Sequence, residues 1–123
     1  KSHVLFNLNR ALEISGPRRL VVVEGFFDAL KVHQAGFSNV VALMGCSLSD
    51  VQVALLVNHS EAATLMLDGD ETGQEATTRI SAQLIRDIYV KVGSLSGGNQ
   101  PDQLSSEQIK TILGSVPFVQ PRG

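Results

Sequence analysis

Short apolar runs alternate along this chain with segments in which apolar residues recur every three or four positions. Leu20-Val21-Val22-Val23 is continuous and mostly β-branched, the pattern of a strand buried on both faces, and Glu24-Gly25 ends it. Phe27, Leu30, Val32 and Ala35 then fall at helical spacing, with Gly36 where a helix C-terminal glycine belongs. Val40 to Leu43 predicts a second strand, after which Gly45 turns the chain. Ser49 suits the N-cap of a helix carrying Val53, Leu56 and Val57. Ala63 to Leu67 predicts a third strand, Asp68-Gly69-Asp70 follows it, and Thr72 to Ile88 supplies a longer helix with Ala76, Ile80, Leu84 and Ile88 on one face. Tyr89 to Leu95 reads as a fourth strand and Ser96 to Pro101 as a loop with strong turn chemistry. Ser105 or Ser106 caps a last short helix ending near Leu113. Ahead of all this, Val4, Leu5, Leu8, Ala11, Leu12 and Ile14 fit a short amphipathic helix, broken by Gly16-Pro17.

Strands alternating with helices at this spacing predict an α/β fold, a central mainly parallel sheet of about four strands flanked by helices and joined by right-handed crossovers. The expected division is a helical lead-in over 1–19, the α/β domain over 20–115 and an extended tail or linker over 116–123, where two prolines stand. Parallel sheets bind ligands beyond the carboxyl ends of their strands. Glu24 ends the first predicted strand, and Asp68 with Asp70 ends the third.

Composition narrows the class. A chain of 123 residues with 43% hydrophobic and 18% charged residues can bury one core. Its apolar runs are too short to cross a bilayer and no signal peptide opens it, so a cytoplasmic protein with no membrane partner is expected. Cys46 is the only cysteine, which excludes an internal disulfide and a cysteine-rich zinc site, and His3, His33 and His59 lack ligand-like spacing. The net charge of -2 leaves no basic footprint for duplex DNA. If the protein handles nucleic acid, most of the phosphate affinity must come from metal ions or from another domain.

The three carboxylates supply a reason for a metal. If the first and third strands are neighbours, Glu24, Asp68 and Asp70 converge on one rim of the sheet. Residues two apart in an extended segment point the same way, so Asp68 and Asp70 can face one ion, while Gly69 lets the backbone approach a ligand. Clustered carboxylates repel unless a cation neutralises them. Magnesium, with manganese as a substitute, suits hard oxygen ligands completed by water and phosphate. Asp and Gly after a strand are equally ordinary turn and helix-cap residues, and Glu24 can be a plain strand-end charge.

These residues carry a resemblance. Val22-Val23-Glu24-Gly25-Phe26-Phe27-Asp28 resembles the glutamate motif of TOPRIM domains, and Leu67-Asp68-Gly69-Asp70-Glu71-Thr72-Gly73 resembles their paired-aspartate motif. Ala29 to Gly36, Ala42 to Leu48 with Gln52, and Gly98-Asn99-Gln100-Pro101-Asp102 resemble the corresponding segments of DnaG-type primases, so the similarity covers roughly Leu20 to Leu104. It implies a TOPRIM (Rossmann-like) fold in which Glu24, Asp68 and Asp70 bind the catalytic metal and Asp28 and Asp102 support it. It implies RNA primer synthesis on single-stranded DNA from ribonucleotides. The implied partners are the zinc-binding and basic template-binding domains of a parent primase and a replicative helicase.

Two positions depart from the family pattern: Gln100 stands where the first aspartate of an Asp-Pro-Asp loop is usual, and Cys46 replaces a threonine. The first weakens a two-metal arrangement; the second reads as a small buried packing residue. The alternatives are a TOPRIM nuclease or topoisomerase fragment, disfavoured because Tyr89 is the only tyrosine and lies in a predicted strand, and a non-catalytic recruitment module whose acidic site is vestigial.

Overall fold

A computed structural model of the chain describes residues 8–11, 19–44, 49–93 and 103–115. Their elements run α1 (Leu8–Ala11), β1 (Arg19–Val23), α2 (Phe26–Gln34), β2 (Val40–Ala42), α3 (Asp50–His59), β3 (Ala62–Leu65), α4 (Glu71–Leu84), β4 (Tyr89–Val92) and α5 (Ser106–Ser115). The four strands form one sheet in the order β2-β1-β3-β4, every pairing parallel. β1 registers Val22 against Val41 of β2 on one side and Leu65 of β3 on the other.

Alternation along the strands divides the interior into two layers. Leu20 and Val22 of β1 join Val41, Ala63, Leu65 and Val90 on one face, packed against Leu56 of α3 and Ala76, Ile80 and Leu84 of α4, with Ala11 of α1 at the margin. Val21 and Val23 join Val40 and Ala42 on the other, against Ala29 and Val32 of α2 and Ile109 and Leu113 of α5. Both faces of the sheet are covered, which is why Leu20 to Val23 and Val40 to Ala42 read as unbroken apolar runs, while β3 and β4 each bury one polar residue, Thr64 and Lys91.

The helix ends follow their local chemistry. α2 closes in a Schellman motif: Gly36 takes φ 105°, its N–H donates to the His33 carbonyl at 3.0 Å, and the Phe37 N–H reaches back to Val32 at 3.2 Å. α3 opens with a capping box in which the Gln52 N–H donates to Ser49 Oγ (3.2 Å) and the Ser49 N–H to Gln52 Oε1 (3.1 Å). Ser105 and Gln108 repeat that reciprocal pair before α5, at 3.1 and 2.8 Å, so Ser105 is the cap and Ser106 the first helical residue.

Three expectations are corrected. α4 stops at Leu84 rather than Ile88, because the chain tightens into a turn there, with the Asp87 and Ile88 N–H groups both on the Leu84 carbonyl. Ile88 is still buried with the α4 face, which is why it fits the helical pattern. β3 ends at Leu65, though Met66 keeps a bond to β1 through its N–H and the Val22 carbonyl at 2.9 Å. In α2, Ala29, Val32 and Asp28 are buried, whereas Phe27 and Leu30 face outward.

Candidate functional site

The chain leaves β1 for β2 on one side and later enters β3 on the other. That divergence opens a crevice at the carboxyl edge between β1 and β3, the switch point where parallel sheets receive ligands. Glu24 is the residue after β1, and Asp68 follows β3 once Met66 and Leu67 have carried the chain onward, both buried. Glu24 and Asp68 are each half-buried there. Glu24 Oε2 lies 3.4 Å from the backbone N–H of Asp68, a long contact that ties the two loops together across the crevice. The Oδ1 atom of Asp68 is enclosed by protein.

Asp70 is placed differently from the reading of an extended Asp-Gly-Asp. The helix begins at Glu71, and Asp70 is its N-cap, extended in backbone, with its Oδ1 accepting from the Gly73 N–H at 2.8 Å. One carboxylate oxygen is thereby engaged by the first turn of α4, and the residue is exposed. Gly73 has a steric reason as well: a Cβ there would lie 2.0 Å from the carbonyl oxygen of Asp68. No side chain fits, so the first turn of α4 lies directly against the Asp68 backbone. Gln74 adds a bond from Nε2 to the Gly69 carbonyl at 2.9 Å.

Asp28 is buried in the first turn of α2, its Oδ2 accepting from the Gly25 N–H at 3.3 Å. That bond supports the loop holding Glu24. Asp102, Gln100 and Cys46 lie outside the described residues. Among the described residues no three His, Cys, Asp or Glu side chains are assembled as a metal cage; Glu24 and Asp68 are the pair brought together, with Asp70 beside them in sequence. An all-oxygen donor set around a backbone with no room for a side chain at Gly73 fits a hard divalent cation with a partly aqueous shell.

Two features of this rim go beyond the elements that the sequence predicts. Gln52 is fully buried and its Nε2 donates to the Leu43 carbonyl at 3.1 Å, fixing the start of α3 to the end of β2; its position three residues after Ser49 was the available signal. Met44 takes a left-handed φ of 61°, and its N–H donates to the Glu24 carbonyl at 2.6 Å. Nothing in the residue type announces that.

A Toprim-like family model matches residues 21–105, a span that contains Glu24, Asp68, Asp70 and Gly73. The chain belongs to the Toprim-like family, and the relatives it matches include DNA primases, those of the DnaG type among the solved structures. The DNA primase of Campylobacter jejuni is 34% identical over 94% of this chain and 20% of its own length. That of Staphylococcus epidermidis is 38% identical over 83% of this chain and 17% of its own. The chain therefore spans a fifth or less of these relatives. Among solved structures, the Aquifex aeolicus primase, comprising zinc-binding and RNA polymerase domains, matches with a TM-score of 0.85 and 29% identity over 97% of this chain and 31% of that one.

Proposed function

We propose that this domain is the metal-holding part of a DNA primase, serving magnesium-dependent nucleotidyl transfer as RNA primers are made on single-stranded DNA. The contact of Glu24 Oε2 with the Asp68 backbone at the switch point carries the reading, because it joins two acidic loops where a parallel sheet takes its ligand. Glu24 and Asp68 would hold the ion. Asp70 would contribute the oxygen that does not cap α4, Asp28 would support Glu24 through its bond to the Gly25 N–H, and Asp102 would be a further supporting acid. Magnesium, or manganese in its place, supplies charge neutralisation at the nucleotide phosphates during attack by a primer 3′ hydroxyl. The carboxylates act by holding and orienting, never as nucleophiles. Template strand, ribonucleotides, the zinc-binding and template-binding domains of the parent and a replicative helicase are the partners this role requires. With a net charge of -2, the domain leaves most of the strand's phosphate contacts to those other domains.

Titration of the chain with magnesium and manganese, followed by thermal unfolding and calorimetry, tests the proposal. A ligand at a hundred times its Kd stabilises by about 2.7 kcal/mol. Asp68→Asn and Glu24→Gln are expected to lose that gain, while Asp68→Asn without metal holds its stability or rises, since one of the repelling charges is gone. An unfolding midpoint in the wild type that neither cation moves rules the role out.

A further inference from the structure

The peptide group joining Leu43 to Met44 is held at both ends. Its oxygen accepts a hydrogen bond from Gln52 Nε2 at 3.1 Å, and its N–H donates to the Glu24 carbonyl at 2.6 Å. The peptide joining Glu24 to Gly25 is held the same way: its oxygen takes the Met44 N–H, and its own N–H donates to Asp28 Oδ2 at 3.3 Å. Every donor points in the same sense, from the amide of Gln52 through two peptide groups to the carboxylate of Asp28. Bonds linked in this way polarise one another. Gln52 and Asp28 are both buried, and they bracket the backbone of Glu24 from α3 and α2.

The first of these peptides stands in a strained orientation. Met44 has φ 61°, a left-handed value that non-glycine residues rarely adopt. Turning the Leu43–Met44 peptide over would bring that angle to about −120°, within the ordinary extended region. It would also aim the oxygen away from Gln52 and the N–H away from Glu24, because the two point opposite ways in a trans peptide. Met44 is 55% exposed, so packing of its side chain does not account for the strained form. The hydrogen bonds at the two ends of the peptide do, since such strain persists only where the surroundings over-determine it.

We propose that Gln52 is a positioning residue for the acidic site: by holding the Leu43–Met44 peptide in its strained orientation, it fixes the backbone of Glu24 and so the place of the Glu24 carboxylate beside Asp68. The inference rests on the metal-holding reading above. Gln52 acts through backbone groups alone, and this part is separable from its capping of α3, because Oε1 accepts from the Ser49 N–H while Nε2 serves Leu43.

Manganese calorimetry on the whole chain tests this. Gln52→Met removes the donor and keeps an unbranched side chain, and it should weaken manganese about tenfold, the lower end for groups that stand behind metal ligands. Ser49→Ala removes the cap and leaves the Leu43 bond, so it should bind as the wild type does. Met44→Gly relieves the strained angle, and adding it to Gln52→Met should restore most of the lost affinity, a rescue that general loosening of α3 would not allow. Hydrogen exchange without metal reads the peptide directly: the amide at position 44 should exchange faster in Gln52→Met and stay protected in Ser49→Ala. Met44→Val opposes the left-handed angle at an exposed position, so it should weaken manganese without touching the core, and it decides the matter if Gln52→Met does not fold. Wild-type affinity in either Gln52→Met or Met44→Val overturns the proposal while leaving the metal site standing. So does weakening of equal size in Ser49→Ala, or weakening in Gln52→Met that Met44→Gly does not reverse. A wild type that takes up no manganese removes the metal-holding reading, and the positioning role with it.

Discussion

Two glycines on this rim make a clean comparison. A Cβ at Gly73 would lie 2.0 Å from a backbone oxygen that cannot move without shifting Asp68, whereas one at Gly25 meets Asp28 Oδ2 at an ordinary 3.6 Å. Gly73→Ala is therefore expected to destabilise by at least the 1–3 kcal/mol typical of overpacking and to weaken manganese binding, because the displaced part is the backbone of a candidate ligand. Gly25→Ala should cost less than about 1 kcal/mol, the scale of an N-cap change. Urea denaturation of both, with manganese titration, checks the pair; equal stability losses would contradict the steric account. The same stretch shows where residue identity was readable and where it was not. Asp68 and Asp70 stand out as acids after a strand, but the rule that alternate residues share a side holds only while the chain stays extended, and the helix that begins at Glu71 turns Asp70 into a cap.

At the scale of elements, the first two strands were legible because burial on both faces leaves nothing polar in β2 or in β1 beyond its exposed first residue, Arg19, and the helices because their caps obey local hydrogen bonding. Ser49 before α3 is an instance: its capping box with Gln52 was visible as a spacing. The sheet order was not visible, since pairing β1 with β3 rather than leaving it at the edge depends on how the helices cover both faces. The face that α2 buries was visible only in part, through Val32 and Ala35. An apolar count favours Phe27 and Leu30, but buried Asp28 takes an inward position by bonding to Gly25, and the smaller Ala29 and Val32 lie next to the sheet. Gln52 gives a test at this scale. Ser49→Ala removes the cap alone and should cost about 1 kcal/mol. Gln52→Leu removes the reciprocal cap bond and the link to the Leu43 carbonyl, leaving buried backbone polar groups without that partner, at about 1–3 kcal/mol. Hydrogen exchange should then show faster opening at the start of α3 and the end of β2 together. Opening confined to α3 would count against the link.

Across the whole molecule, a buried cation connects the edge strand to the last helix. Lys91 of β4 is 7% exposed, and its Nζ donates to the carbonyl of Leu113 in the final turn of α5, where the helix dipole favours positive charge. Burial first, and the like charge of Arg19 second, still hold its pKa below the ordinary 10.5. The folded chain therefore releases this proton at a lower pH than the unfolded chain does. Between the folded value and 10.5 the unfolded state binds more protons, so this group's contribution to stability rises with pH across that window and is level on either side. Denaturant unfolding of the wild type and Lys91→Met over the alkaline range should show the wild type gaining relative to the variant as pH approaches 10.5. Parallel curves would mean that Lys91 titrates alike in both states.

The outward arc of α2 has a practical side. A chain whose net charge is only -2 has little electrostatic repulsion between copies, and Phe26, Phe27 and Leu30 offer each copy an adhesive strip that unfolding is not needed to expose. Colloidal association of the folded form, rising with concentration and with salt, is therefore expected to limit storage in solution, as light scattering would show. Heating is a poor guide to that behaviour, and a single polar substitution at Phe27 should lengthen storage more than any change that strengthens the core.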